Sequence, residues 1–124
     1  MMQFRMVEAR LDGMIKHREF VANRIAEIEG TVASIDEISK AKGEVMFHVG
    51  GEAFMQARPS EGGKVLVTIG ADVALEKTVE EAKKLLQSRR KEAEDAMGDI
   101  QKEIENLTRT LEGMMPEMEA LNGR

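Results

Sequence analysis

The stretch that decides the fold is EVMFHVGGEAFMQARPSEGGKVLVTIGADVALEK, residues 44–77. Val45, Phe47 and Val49 would share one side of an extended chain, with Met46 and His48 on the other. Val65, Val67 and Ile69 stand in the same relation to Leu66 and Thr68. A period of two is the strand period. It predicts four short strands, at about 44–49, 53–58, 64–69 and 73–77. Gly50-Gly51 and Gly70-Ala71-Asp72 sit where tight hairpin connections belong. Pro59-Ser60-Glu61-Gly62-Gly63 is a looser link between the two hairpins.

Outward from this stretch the period changes. Towards the N-terminus, core-type positions recur at alternating spacings of three and four: Phe4, Val7, Leu11, Met14, Arg18, Val21, Ile25, Ile28, Val32, Ile35, Ser39. Nine of these eleven are apolar. Sustained over about five heptads, this is a coiled-coil seam rather than the broader stripe of a globular helix. Gly13 and Gly30 lie off the seam, and each costs about 1 kcal/mol relative to Ala. Such a helix therefore depends on burial of its seam. Towards the C-terminus, Thr78 and Glu81 have the spacing of a capping box. The second seam then runs Leu86, Arg90, Ala93, Met97, Ile100, Ile104, Leu107, Leu111, Met114, Met118, Leu121. Just before it the apolar residue is Ala82, whereas strict spacing selects Lys83, and a small local distortion is expected there.

The seams match when laid antiparallel with partners whose numbers total 118. Val7 then meets Leu111, Val21 meets Met97, Val32 meets Leu86, and Ser39 meets Val79 where the strands begin and end. Arg18 falls opposite Ile100, and Arg90 opposite Ile28. Each arginine can lay its stem along an apolar partner and send its charge outward. Each helix would be roughly 55–65 Å long at 1.5 Å per residue. The predicted fold class is mainly α with a small β region (α+β), a long antiparallel coiled-coil hairpin joined by two β-hairpins. One domain is expected over 1–124, with helices at 1–41 and 78–124 flanking the strands of 44–77.

Composition agrees. The 124 residues include four Phe and no Tyr or Trp, a thin aromatic supply for a conventional globular core. The absence of Cys excludes disulfides, thiol catalysis and cysteine zinc sites. A net charge of −5 removes any general attraction to nucleic acid or anionic lipid. No apolar run approaches the ~20 residues needed to cross a bilayer, and the N-terminus lacks the apolar block of a signal peptide. The expectation is a cytoplasmic protein with no nucleic acid and no membrane among its partners.

Two isolated hairpins are marginal in water. Their edges are open, and helices occupied with each other leave the apolar strand faces uncovered. The expected cover is another subunit, with strands pairing into a closed or near-closed intersubunit β-barrel. The residues assigned to oligomerisation are Val45, Phe47, Val49, Phe54, Val65, Val67, Ile69, Val73 and Leu75. At the opposite end lie seven of the ten methionines: Met1, Met2, Met6, Met14, Met114, Met115 and Met118. With Met114 facing Phe4, residues 116–124 overhang the first helix, and Pro116 should disturb the last turns. Methionine adapts its shape to varied apolar partners. Met1, Met2, Phe4, Met6, Met114, Met115, Met118 and Leu121 are accordingly the candidate site for exposed apolar segments of other proteins.

The central stretch also resembles a known family. Phe47-His48-Val49-Gly50-Gly51-Glu52-Ala53-Phe54 and Lys64-Val65-Leu66-Val67-Thr68-Ile69-Gly70-Ala71-Asp72-Val73-Ala74-Leu75-Glu76-Lys77 are similar to the two hairpin signatures of prefoldin. His48 stands where Pro is common and Asp72 where a second Gly is common, which leaves the second turn's type open. Two hairpins rather than one mark the alpha class, and the sequence is of archaeal type. The resemblance implies a hexamer of two alpha and four beta-class subunits whose strands build a central platform. It further implies an ATP-independent holdase whose coiled-coil tips take unfolded client proteins and pass them to a group II chaperonin.

Other features read as structure. His17 and His48 are too far apart in sequence to suggest a metal site. Arg89-Arg90-Lys91 is flanked by Glu92, Glu94 and Asp95, as on a solvated helix face with local ion pairs, with a nucleic-acid patch as the lesser reading. Gly50-Gly51 lacks the context of a phosphate loop. No nucleophile, base and orienter constellation marks an enzyme, and no cofactor is expected. The alternative to a holdase is a structural coiled-coil protein that self-assembles through its hairpins into a filament or spacer.

Overall fold

A computed structural model describes residues 2–60 and 62–122. In chain order the elements are α1 (Met2–Lys40), β1 (Val45–His48), β2 (Phe54–Ala57), β3 (Val65–Gly70), β4 (Val73–Lys77) and α2 (Val79–Asn122). The chain divides into two compact units. One joins Met1–Ala26 to Lys91–Arg124, and the other is Glu27–Arg90.

In the first unit the core is the seam. Val21, Ile100 and Ile104 are buried, and Leu11, Met14, Ile25, Ala93 and Met97 pack against them. Polar side chains flank this stripe and bridge the helices. The Arg18 guanidinium donates to Gln101 Oε1 at 3.4 Å, and that of Arg10 donates to Glu103 Oε1 at 3.0 Å. Arg18 thus lays its stem on the seam and ends in a polar partner. Pro116 lies inside α2, which continues to Asn122. The expected disturbance is therefore not a break, although Pro116 has no N–H to donate to the Glu112 carbonyl.

In the second unit Ile28, Ala82 and Leu86 are buried. Lys83 Nζ lies 2.6 Å from Asp36 Oδ1, and an Arg90 nitrogen 4.0 Å from Glu29 Oε1. Both pairs lie within one residue of the antiparallel register read from the seams. The stripe differs from the strict seam in one respect: it is wider. Ile38, Leu85 and Arg89, which lie off the 3-4 spacing, are half-buried, whereas Ser39 is exposed and its hydroxyl donates to the Asp36 carbonyl. Ala82 and Lys83 are both on the covered side of an unbroken helix. The expected distortion is a broadening of the buried face, because these turns pack against more than the facing helix. Arg89 donates to the Thr68 carbonyl at 3.4 Å, so β3 lies beside α2. The expectation that the helices leave the strands uncovered is corrected here, since Val67 is buried within its own chain.

The strands form two antiparallel pairs. In β1–β2, Val45 opposes Ala57 and His48 opposes Phe54. The Val49 N–H donates to the Ala53 carbonyl at 3.0 Å, so the connecting loop is Gly50-Gly51-Glu52. In β3–β4, Val65 opposes Lys77 and Val67 opposes Leu75. Thr68 opposes Ala74 but Gly70 opposes Val73, leaving Ile69 as the extra residue of a bulge. Ala71 and Asp72 have φ of 47° and 62°. Positive φ at both central residues is the type I′ turn, whose twist matches that of the flanking strands. Gly70, at φ 112°, brings the bulged strand into that turn.

Thr78 begins α2 as its spacing requires. Its N–H donates to Glu81 Oε1 at 3.0 Å, and the Glu81 N–H donates back to Thr78 Oγ1 at 3.1 Å. Two donors that the helix end would leave without partners are satisfied together.

Candidate apolar tip and hairpin surface

The end of the first unit carries an open groove of about 290 Å³ lined by Met2, Gln3, Phe4, Met114, Glu117, Met118 and Leu121. Five of these are apolar, and they come from the first turn of α1 and the last turns of α2. Antiparallel packing brings the two helix ends together, and the 3-4 spacing turns Phe4, Met114 and Met118 inward until they are half-buried. Met2, at 77% exposure, and Leu121 stay open to water. Met6 and Met115 are exposed but do not line the groove. Met1 lies outside the described residues. Gln3 and Glu117 were not among the sequence candidates. They flank seam residues, and which flank borders the opening depends on side-chain direction.

This groove offers no nucleophile or base in a catalytic arrangement. It offers dispersion contacts from flexible thioethers and one ring, with one amide and one carboxylate beside them. That chemistry suits apolar side chains of varied shape.

The hairpins form a second apolar surface. Of the residues assigned to oligomerisation, Val67 is only 7% exposed, and Val45, Phe47 and Val65 are half-buried. Val49, Phe54, Ile69, Val73 and Leu75 are exposed. So are three residues that the sequence reading placed on the other face or left out, namely Met46, Met55 and Leu66, the last at 70%. Their signal is the alternation itself, which gives each strand a second side. Residues paired across antiparallel strands share a face. Phe54 thus sits with His48 and Met46, and the His48 and Phe54 rings lie 5.0 Å apart. Met55 sits with Phe47 and Val45. The first hairpin is apolar on both sides.

The electrostatics are structural. The hydrogen bond from Lys83 holds the Asp36 carboxyl below the usual aspartate range and raises the Lys83 ammonium. The Thr78 backbone N–H, followed by its hydroxyl, lowers the Glu81 carboxyl. Arg89 and Arg90 are engaged with Thr68 and Glu29 rather than forming a free basic patch. His17 lies beside Phe20, with ring centroids 6.5 Å apart, and His48 Nε2 is 3.4 Å from the Gly51 carbonyl oxygen. Among the described residues no group of His, Cys, Asp and Glu could hold a metal ion, and no helix is long and apolar enough to cross a membrane.

Comparison with known proteins agrees with this architecture. The family model for the prefoldin subunit matches residues 7–124. A prefoldin subunit alpha of Methanopyrus kandleri is 30% identical over 82 residues, covering 66% of this chain and 52% of the relative. That of Methanoculleus marisnigri is 33% identical over 84 residues, covering 64% and 56%. The chain therefore spans little more than half the length of the curated relatives it matches. Among solved structures, a filamentous PFD from Methanocaldococcus jannaschii, seen by cryo-EM, superposes with a TM-score of 0.77 at 21% identity, covering 91% of this chain and 95% of that one. At that identity the likeness is one of fold. The chain belongs to the prefoldin subunit family, as an alpha-class member of archaeal type, and so to a family of chaperones rather than enzymes.

Proposed function

We propose that the chain is an ATP-independent holdase subunit that captures unfolded proteins at its tip and passes them to a group II chaperonin in the cytoplasm. The observation that carries this reading is the open, methionine-lined groove where the two helix ends meet. Its walls are apolar, adaptable and reachable from water, as sequence-tolerant capture requires. The client-binding residues are Met1, Met2, Phe4, Met6, Met114, Met115, Met118 and Leu121. The hairpin residues Val49, Phe54, Ile69, Val73 and Leu75, with Met46, Met55 and Leu66, meet other prefoldin subunits. The assembly proposed is a hexamer of two alpha and four beta-class subunits.

The test is aggregation of a thermally unfolding client in the presence of this chain, alone and mixed with a beta-class subunit. Suppression should fall when residues 115–124 are removed. If neither assembly nor that truncation changes aggregation, capture at the tip is wrong. A second reading is self-assembly into a filament. It is favoured by the two-sided apolar hairpins and by the likeness to a filamentous PFD. Light scattering of the chain alone separates the two, since long polymers formed without a partner subunit would support the filament.

A further inference from the structure

The tip carries a chemistry that apolar capture does not use. We propose that its methionine thioethers are an oxidation site through which peroxide reversibly switches client capture off. The inference rests on the client-holding reading above. The chain has ten Met and no Cys, so thioethers are its only sulfur groups. Met2, Met114 and Met118 line the open groove, and Met6 and Met115 are exposed nearby. Met14 and Met97 instead pack against the buried Val21, Ile100 and Ile104. Met114 and Met118 are half-buried, as Met14 and Met97 are, but they line the open groove, so a dissolved oxidant reaches the tip first at Met2, Met6 and Met115.

The step balances with hydrogen peroxide as the oxidant. A sulfur lone pair attacks one peroxide oxygen, the S–O bond forms as the O–O bond breaks, and the departing hydroxide takes up the proton of the transferred oxygen to leave as water. Sulfur is oxidised by two electrons and peroxide is reduced. The thioether becomes a polar sulfoxide, and methionine sulfoxide reductases reverse the change.

The groove has little to satisfy that new acceptor. Gln3 is the one lining side chain with N–H donors, while Glu117 contributes a carboxylate and the other five are apolar. A client side chain pressed against the wall must strip water from the sulfoxide oxygen. Each sulfoxide so buried should weaken capture about tenfold or more. Met46 and Met55 on the hairpins are also exposed, and their oxidation could act through assembly instead.

The test uses the full chain, mixed with a beta-class subunit and exposed to hydrogen peroxide. Peptide mass spectrometry locates the sulfoxides, and client aggregation and light scattering are read in parallel. Sulfoxide should form on the tip peptides before the Met97 peptide. The concentration needed for half-suppression should rise about tenfold or more, assembly size should hold, and reductase treatment should restore capture. A variant carrying Met2→Leu, Met6→Leu, Met114→Leu, Met115→Leu and Met118→Leu, compared only with itself, should lose most of its response to peroxide treatment. A variant carrying Met46→Leu and Met55→Leu should stay sensitive. Capture that ignores sulfoxides at the tip overturns the inference, as does sensitivity that persists in the tip variant and vanishes in the hairpin variant. A reduced chain that captures nothing sinks the client-holding reading with it, whereas capture indifferent to tip oxidation sinks this inference alone.

Discussion

Leu66 and Val67 are neighbours on β3 that face opposite ways, so one strand supplies both arms of a test. Val67 is 7% exposed in the single chain and Leu66 is 70% exposed. Val67→Asp places a carboxylate where the chain covers itself. Losing the valine burial costs about 1.5–2 kcal/mol, and a polar group without a partner adds about 1–3 kcal/mol. The sum, roughly 2.5–5 kcal/mol, is a large part of the ~5–15 kcal/mol that holds an ordinary domain together. Leu66→Asp removes little burial from the lone chain and should move its stability by no more than about 0.5 kcal/mol. If a neighbouring subunit covers that face, the exposed share of the leucine contributes about 1–2 kcal/mol per contact. Its loss then weakens association about tenfold per contact. Urea unfolding followed by far-ultraviolet circular dichroism reads the first effect, and light scattering with a beta-class partner reads the second. The expected result is a chain weakened by Val67→Asp and an assembly dissociated by Leu66→Asp with its helices intact. An assembly unchanged by Leu66→Asp would show that this face is not an interface. A chain whose urea midpoint ignores Val67→Asp would refute the burial reasoning.

Three further outcomes follow from local geometry. Thr78→Ala removes one side of the capping box and should cost about 1 kcal/mol, visible as a lower urea midpoint, while Thr78→Ser should recover most of it. Ala71→Asn relieves a left-handed alanine in the type I′ turn and should raise thermal stability by about 1 kcal/mol. The Asp36–Lys83 bond gives a stability plateau with two limbs. Asp36 is lowered in the folded chain, so its contribution is complete above the ordinary aspartate range and is lost as pH falls through the depressed value. Lys83 is raised, so its contribution is complete below the ordinary lysine range and is lost as pH rises through the elevated value. Asp36→Asn should shrink both limbs in a series of urea midpoints against pH. Limbs identical to the parent's would remove the bond from the account.

Much of the fold is legible in the sequence because it follows from local rules. The change from period two to the 3-4 spacing separates strands from helices, and Thr78 with Glu81 marks a helix start whose two hydrogen bonds form as the spacing requires. Matching the seams predicted a register that the Arg90–Glu29 and Lys83–Asp36 pairs keep to within one residue. The same register brought Phe4 to the methionines of α2, which is why most of the groove lining was nameable in advance. Tertiary packing decided the rest. Alternation says which residues share a side of a strand, but not which side the rest of the chain covers, so Val67 and Leu66 could not be told apart in environment. A 3-4 seam describes two helices facing each other alone. Near Thr68, whose carbonyl accepts from Arg89, the covered face of the helices takes in Ile38, Leu85 and Arg89, and Ser39 is left exposed. Burial is a sum over everything that touches a residue, and those neighbours are far away in the chain.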